Sequence, residues 1–203
     1  MRPYLEAVRR NPDQAPAHYN LGAIYSRFVQ LRLAEEQYQK ALALDSTYAQ
    51  TYQGLGSLYQ RQGEDEQALD QYRKALTKDP TLAESHNNIG LICAKQGNLD
   101  QAVQEYQTAL QLAPDKGFVY VNLGSAYKDQ KKFAQAQEAL QKAVALDSTL
   151  YGGKELLGDV LALQGQVKQA VAIWEPLVRR APDHKDLQAK LERARNLLKS
   201  EGQ

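Results

Sequence analysis

Along residues 15–48, apolar and small side chains recur at intervals of three and four. His18, Leu21, Gly22 and Tyr25 stand at i, i+3, i+4 and i+7, which is one face of a helix. Ala34, Tyr38 and Ala41 mark a face of a second helix in the same stretch. The double pattern then returns along the chain. Gly22, Gly56, Gly90, Gly124 and Gly158 follow one another at a constant interval (56 − 22 = 34). Ala34, Ala68, Ala102, Ala136 and Ala170 keep that interval, as do the large apolar residues Tyr38, Tyr72, Tyr106, Leu140 and Trp174. Three residue classes in one register through five units define a repeat of two helices. The small Gly and Ala series let the two helices of a unit approach closely.

Turn chemistry separates the helices. Gly63, Gly97 and Gly165 suit a left-handed end to the first helix of their units. Val29 and Lys131 replace that Gly in two units, so the sequence predicts turns of a different build there. Asp45-Ser46, Asp79-Pro80, Pro114-Asp115, Asp147-Ser148 and Pro182-Asp183 carry helix-stop and N-cap residues between units.

An aromatic, Leu-Gly, Tyr, Ala, an aromatic and Pro spread over such a period resembles the tetratricopeptide repeat (TPR) family. Tyr52, Leu55, Gly56, Tyr59, Ala68, Tyr72, Ala75 and Pro80 match the pattern at every place. Cys93 and Leu161 replace the first-helix Tyr in the third and fifth units, and Lys154 replaces the opening aromatic of the fifth. The resemblance implies an all-α fold, a right-handed TPR superhelix (α-solenoid) of antiparallel helix pairs. It divides the chain into residues 1–14, the second half of an incomplete N-terminal repeat, and five units at 15–48, 49–82, 83–116, 117–150 and 151–184. A C-terminal capping helix over 185–199 and a tail over 200–203 complete the array. Tyr4, Ala7 and Pro12 hold the register in the half-repeat, and Leu187, Leu191, Ala194 and Leu198 form the apolar stripe of the capping helix.

Helical geometry at about 100° per residue sets Pro16, Asn20, Ala23 and Arg27 opposite the packing face of the first helix. In TPR folds first helices line the concave surface, so the resemblance turns this stripe toward a groove. Asn20, Asn88 and Asn122 recur on it, whereas Gly54 and Leu156 interrupt the series. A carboxamide carries donors and acceptors, and so suits the C=O and N–H groups of an extended peptide. The arrangement resembles the asparagine ladder in the TPR superhelix of O-linked N-acetylglucosamine transferases, though this chain carries no glycosyltransferase domain. Arg27, Arg61 and Lys95 form a basic rim over the first three units, Ser57, Leu91 and Ser125 lie beside the Asn places, and Phe118 and Val121 add apolar surface. The carboxylate clamp of other TPR proteins does not fit. Tyr19 and Ala23 stand where its Lys and Asn belong, and starting one unit later gives Gln53 and Ser57.

Composition narrows the function. A net charge of +1 disfavours nucleic acid as partner, and no apolar run approaches the roughly 18 residues of a membrane span. The N-terminal MRPYLEAVRRNPDQ lacks an apolar signal-peptide core, which points to the cytoplasm. Cys93, the single cysteine, allows no internal disulfide, and its place on the packing face suits a core thiol. His18 and His86 take the aromatic packing place, with no partner at metal-ligand spacing. No phosphate loop, nucleophile triad or carboxylate pair emerges, so the reading is non-enzymatic, with no cofactor and no metal. The expected function is a protein-interaction module that binds an extended peptide, with the basic rim favouring acidic segments. The alternatives are a scaffold that self-associates through Tyr4, Leu5 and Val8 of the N-terminal half-repeat, or the targeting arm of a larger enzyme.

Overall fold

The computed structural model describes residues 2–201; the side chains of Arg2, Tyr4, Ala7 and Glu201 lie outside the described residues. The packing expected of Tyr4 and Ala7, and the last two tail residues, therefore lie outside them too. The described residues form twelve helices: α1 (Arg2–Arg10), α2 (Ala15–Arg27), α3 (Leu31–Leu44), α4 (Ala49–Gln62), α5 (Asp65–Lys78), α6 (Ala83–Lys95), α7 (Leu99–Leu112), α8 (Gly117–Asp129), α9 (Phe133–Leu146), α10 (Tyr151–Leu163), α11 (Val167–Arg180) and α12 (Lys185–Glu201). None is long and apolar enough to cross a membrane. The all-α architecture of adjacent, packed helix pairs is the fold class that the repeat pattern implies.

The chain divides into two compact units, Met1–Ile92 and Cys93–Gln203. In the first, α2 packs on α3, α4 on α5, and α3 on α4. Its core gathers Ala34, Tyr38, Leu55 and Leu58, with Tyr19, Tyr25, Leu31, Leu42 and Tyr59 packed around them. In the second, α8 packs on α9 and α10 on α11, while α9 meets α10 and α12 lies on α11. Tyr106, Leu140 and Trp174 are buried there, as are Cys93 and the Leu187, Leu191 and Ala194 stripe of α12. Each large apolar side chain so removed from water stabilises the fold by about 1.5–3 kcal/mol.

The repeated glycines have a steric cause. A Cβ on Gly22 would come within 2.8 Å of the Tyr38 ring, on Gly56 within 2.6 Å of Tyr72, and on Gly124 within 2.6 Å of Leu140. On Gly158 it would lie 2.2 Å from Trp174 Nε1, whose N–H donates to the Glu155 carbonyl at 3.3 Å. The second-helix aromatic thus occupies the space that a side chain on the first helix would need.

The turns inside the pairs depart from expectation. Gly63, Gly97 and Gly165 have φ of 81°, 81° and 76°, yet Val29 and Lys131 also take positive φ, 60° each. The hydrogen bonds agree as well: Val29 N–H donates to Ser26 O (3.0 Å) and Gln30 N–H to Tyr25 O (2.9 Å), matching Gly63 to Gln60 (3.1 Å) and Glu64 to Tyr59 (2.9 Å). These turns are therefore built as the others are. Helix pairing fixes the path of the chain, and residues that disfavour the left-handed region are held in it.

Between pairs, the Asp residues close turns rather than cap helices. Asp45 Oδ1 accepts from Thr47 N–H (2.8 Å) and Oγ1–H (2.6 Å), and Asp79 with Thr81 and Asp147 with Thr149 repeat the arrangement. The hydroxyl and backbone bonds hold all three carboxyls below the ordinary aspartate value. His18 is core, as its register place implies. Its Nε2 lies 2.9 Å from the Pro12 carbonyl and its Nδ1 2.8 Å from the Gln37 side-chain amide. A carbonyl only accepts, so Nε2 carries a proton.

Candidate functional site

In Met1–Ile92, Asn20 and Arg27 are exposed on α2, Ser57 is half-buried and Arg61 exposed on α4, and Asn88 and Leu91 are half-buried on α6. Asn88 is held on two sides. Its Nδ2 donates to the Tyr72 hydroxyl at 3.1 Å, and its Oδ1 accepts from Asn87 Nδ2 at 3.1 Å. The Tyr72 hydroxyl in turn donates to Gln60 Oε1 at 2.9 Å, with Ser57 Oγ at 3.2 Å. Ser57 and Asn88 are thus joined through one phenol. Burial pushes that phenol up to about 12, against the opposing hydrogen bonds from Ser57 and Asn88.

Arg61 is similarly engaged. One guanidinium nitrogen donates to the Ser26 carbonyl at 2.6 Å and to Ser26 Oγ at 3.0 Å, so the cation sits on the last turn of α2. Helix C-termini carry partial negative charge, which favours it there. Flanking the stripe, Gln53 Nε2 donates to Glu84 Oε2 at 2.6 Å, and Tyr19 lies edge-on to Tyr48 with ring centroids 5.4 Å apart.

In Cys93–Gln203, Lys95 is exposed at the end of α6, while Val121, Asn122 and Ser125 are half-buried on α8 and Phe118 is 43% exposed. Val121 packs against α10, where a Cβ on Gly153 would come 2.9 Å from its Cγ2. At the fifth repeat α12 reaches onto the stripe through Lys190. Asp159, in the place of Ala23, receives Lys190 Nζ of α12 at 3.1 Å, and Glu155 (2.8 Å) and Asp186 (3.1 Å) bind the same ammonium. Partial burial opposes the charge of Lys190, yet the three carboxylates push it well above the ordinary lysine value.

Sequence reasoning did not anticipate the tyrosine partner of Asn88, although a signal for it exists. Tyr72 and Asn88 are sixteen residues apart. Tyr4 and Asn20, and Tyr106 and Asn122, keep that interval, and where Leu140 replaces the Tyr, Leu156 replaces the Asn. The remaining member, Gly54, explains its own gap: a Cβ there would lie 2.8–3.0 Å from three atoms of the Tyr38 ring. In the sequence, each Asn of the series thus stands sixteen residues after a second-helix Tyr.

Comparison with known proteins agrees with the repeat and the all-α fold. Tetratricopeptide repeat models match residues 15–48, 81–149 and 121–184, and a TPR repeat model matches residues 61–97. Among solved structures, PilF of Pseudomonas aeruginosa superposes with a TM-score of 0.76 at 24% identity, covering 92% of this chain and 90% of that one. YrrB, described as a TPR protein with an unusual peptide-binding site, gives 0.72 at 21% identity over 92% of this chain and 96% of its own. MamA gives 0.63 at 24% identity over 72% and 86%. No curated protein sequence matches significantly.

Proposed function

We propose, from the premise that this chain belongs to the tetratricopeptide repeat family, that its first-helix faces hold an extended peptide by its backbone. Non-enzymatic protein interaction is the coarser reading that the fold supports. The finer reading rests on one observation. Asn88 is oriented by Tyr72 and Asn87, yet an Asn side chain has two N–H donors and two acceptor lone pairs. One donor and one lone pair remain, in a carboxamide whose rotamer is already fixed. Such a group meets the N–H and C=O of a peptide at little further entropic cost. Asn20 and Asn122 carry the same function at their register places, with Ser57, Leu91, Ser125, Phe118 and Val121 beside the peptide. Arg27 and Lys95 favour acidic side chains, and Arg61 contributes from its seat on α2.

YrrB, with its unusual peptide-binding site, is a precedent for peptide recognition on this fold. The test is a peptide array followed by solution affinities for the Asn88→Ala, Asn122→Ala double variant. Backbone recognition predicts about tenfold or greater loss across peptides of unrelated sequence. Unchanged affinity in the double variant would refute the role of the carboxamides.

A further inference from the structure

The repeat register breaks at the start of α10. Ala15, Ala49 and Gly117 hold the equivalent place in other repeats and are buried, whereas Tyr151 stands there in the fifth and is 38% exposed. The Arg180 guanidinium, from the last turn of α11, lies over its ring at 4.4 Å from the centroid, with the Lys154 ammonium at 6.0 Å. Tyr151, Leu177 and Arg180 line two adjoining cavities of about 430 and 480 Å³. Both fall in the size range of ligand clefts. Gly152, Ala181, Leu187, Glu155 and His184 complete the first, whose accessible wall is mainly apolar; Ser148, Thr149, Ala172 and Lys154 contribute to the second.

Three local features distinguish this region. A Cβ on Gly152 would meet nothing within 4 Å, and Ala would form helix better at that place. Pro176 lies inside α11, so the Ala172 carbonyl lacks the N–H that an uninterrupted helix supplies four residues on. Ala172 lines the second cavity. Lys154 and Arg180 form no ion pair among the described residues, although Lys190 and Arg195 are both held by carboxylates. Glu155 lines the first cavity but already binds Lys190, and Lys154 feels the charge of Asp147. Its Oδ1 already accepts two bonds from Thr149.

We propose that the Tyr151–Arg180 stack and its two cavities form a docking site for an extended peptide segment of a partner protein with an acidic and an apolar side chain two residues apart. The acidic group meets Lys154 and Arg180, and a backbone N–H of the segment bonds the Ala172 carbonyl. The apolar side chain enters the cavity floored by Leu177 and Leu187. In an extended chain, side chains two apart project from the same face about 7 Å from one another, which lets them straddle the stacked guanidinium. The charge of the two cations selects an acid, and the apolar lining beside them selects its neighbour. None of the Asn-bearing stripe belongs to this site, so it stands apart from the reading above.

The experiment titrates the ¹⁵N-labelled full chain with acetyl-Glu-Ala-Leu-amide and with acetyl-Gln-Ala-Leu-amide. The Glu probe is expected to shift the amides of Tyr151, Gly152 and Ala172 and to bind about fivefold or more tightly than the Gln probe. Arg180→Gln should remove most of that preference. Gly152→Leu fills the apolar cavity from a position with open space around it and should abolish binding of both probes while leaving the helical circular dichroism unchanged. Equal binding of the two probes, shifts confined to the surroundings of Asn88 and Asn122, or undiminished binding to Gly152→Leu would each overturn the proposal. Asn88→Ala with Asn122→Ala leaves this site intact, so the two readings fail separately.

Discussion

Val29 is the sharpest test of how helix pairing overrides local preference. Its φ of 60° places a β-branched residue in the left-handed region, at a cost of order 1–3 kcal/mol. Val29→Gly removes that strain. Against this stand the greater freedom of Gly in the unfolded chain, about 0.5–1 kcal/mol, and the loss of whatever apolar surface the side chain covers. Val29 is 65% exposed, so only about a third of a Val burial, roughly 0.5–1 kcal/mol, is forfeited. Taken at the midpoints, the balance is a net gain of about 0.5 kcal/mol. Gly63 offers the reciprocal experiment, because its φ is 81° and a Cβ there meets nothing within 4 Å. Gly63→Val therefore introduces backbone strain without a clash, and should destabilise by about 1 kcal/mol. Urea denaturation followed by circular dichroism, with unchanged slope, reads both midpoints. Loss of stability in Val29→Gly together with no loss in Gly63→Val would refute the reasoning.

Other expectations follow from the same packing. Gly158→Ala drives a methyl into the buried Trp174 indole and should cost about 2–3 kcal/mol by thermal melting, whereas Gly152→Ala should be neutral or slightly stabilising. Burial, aided by the Glu35 bond for Tyr59, raises Tyr59 and Tyr72 from 10.0 to about 12. The folded state thus favours the neutral phenols; this stabilisation is complete below about pH 10 and is lost as pH rises through 12. Absorbance at 295 nm should show these phenols ionising together with helix loss, and ionisation near pH 10 with helix intact would contradict it. Lys190→Met leaves Glu155 and Asp159 facing one another without their shared cation, and should loosen α12 by about 1–2 kcal/mol, read as faster amide exchange at Leu187 and Leu191.

Much of the fold was legible because its causes are local and repeated. The Gly22 to Gly158 series and the Tyr38 to Trp174 series are two sides of one contact, so the period exposed both. The candidate stripe was legible only as a list of positions. Helical angle put Asn88 and Ser57 on one face, but the Tyr72 phenol that joins them comes from the preceding second helix. Its sixteen-residue signature crosses two helices and escapes any pattern read within one. Arg61 reads from sequence as an available cation, and its attachment to Ser26 spans 35 residues. The reach of Lys190 onto the fifth repeat is longer-range in kind, since three carboxylates on two helices converge on one ammonium.

By itself the sequence determined the periodicity, the helix pairs and the small-against-large contacts, because each depends on spacing along a regular helix. Only the tertiary structure decided that Val29 and Lys131 share the left-handed turn of the glycines, that Asn88 answers a buried phenol, and that Tyr151 is left partly in solvent beside two cavities. Those outcomes depend on which groups packing brings within hydrogen-bond or van der Waals reach. A one-dimensional pattern carries no information on such distances until the helices are in place.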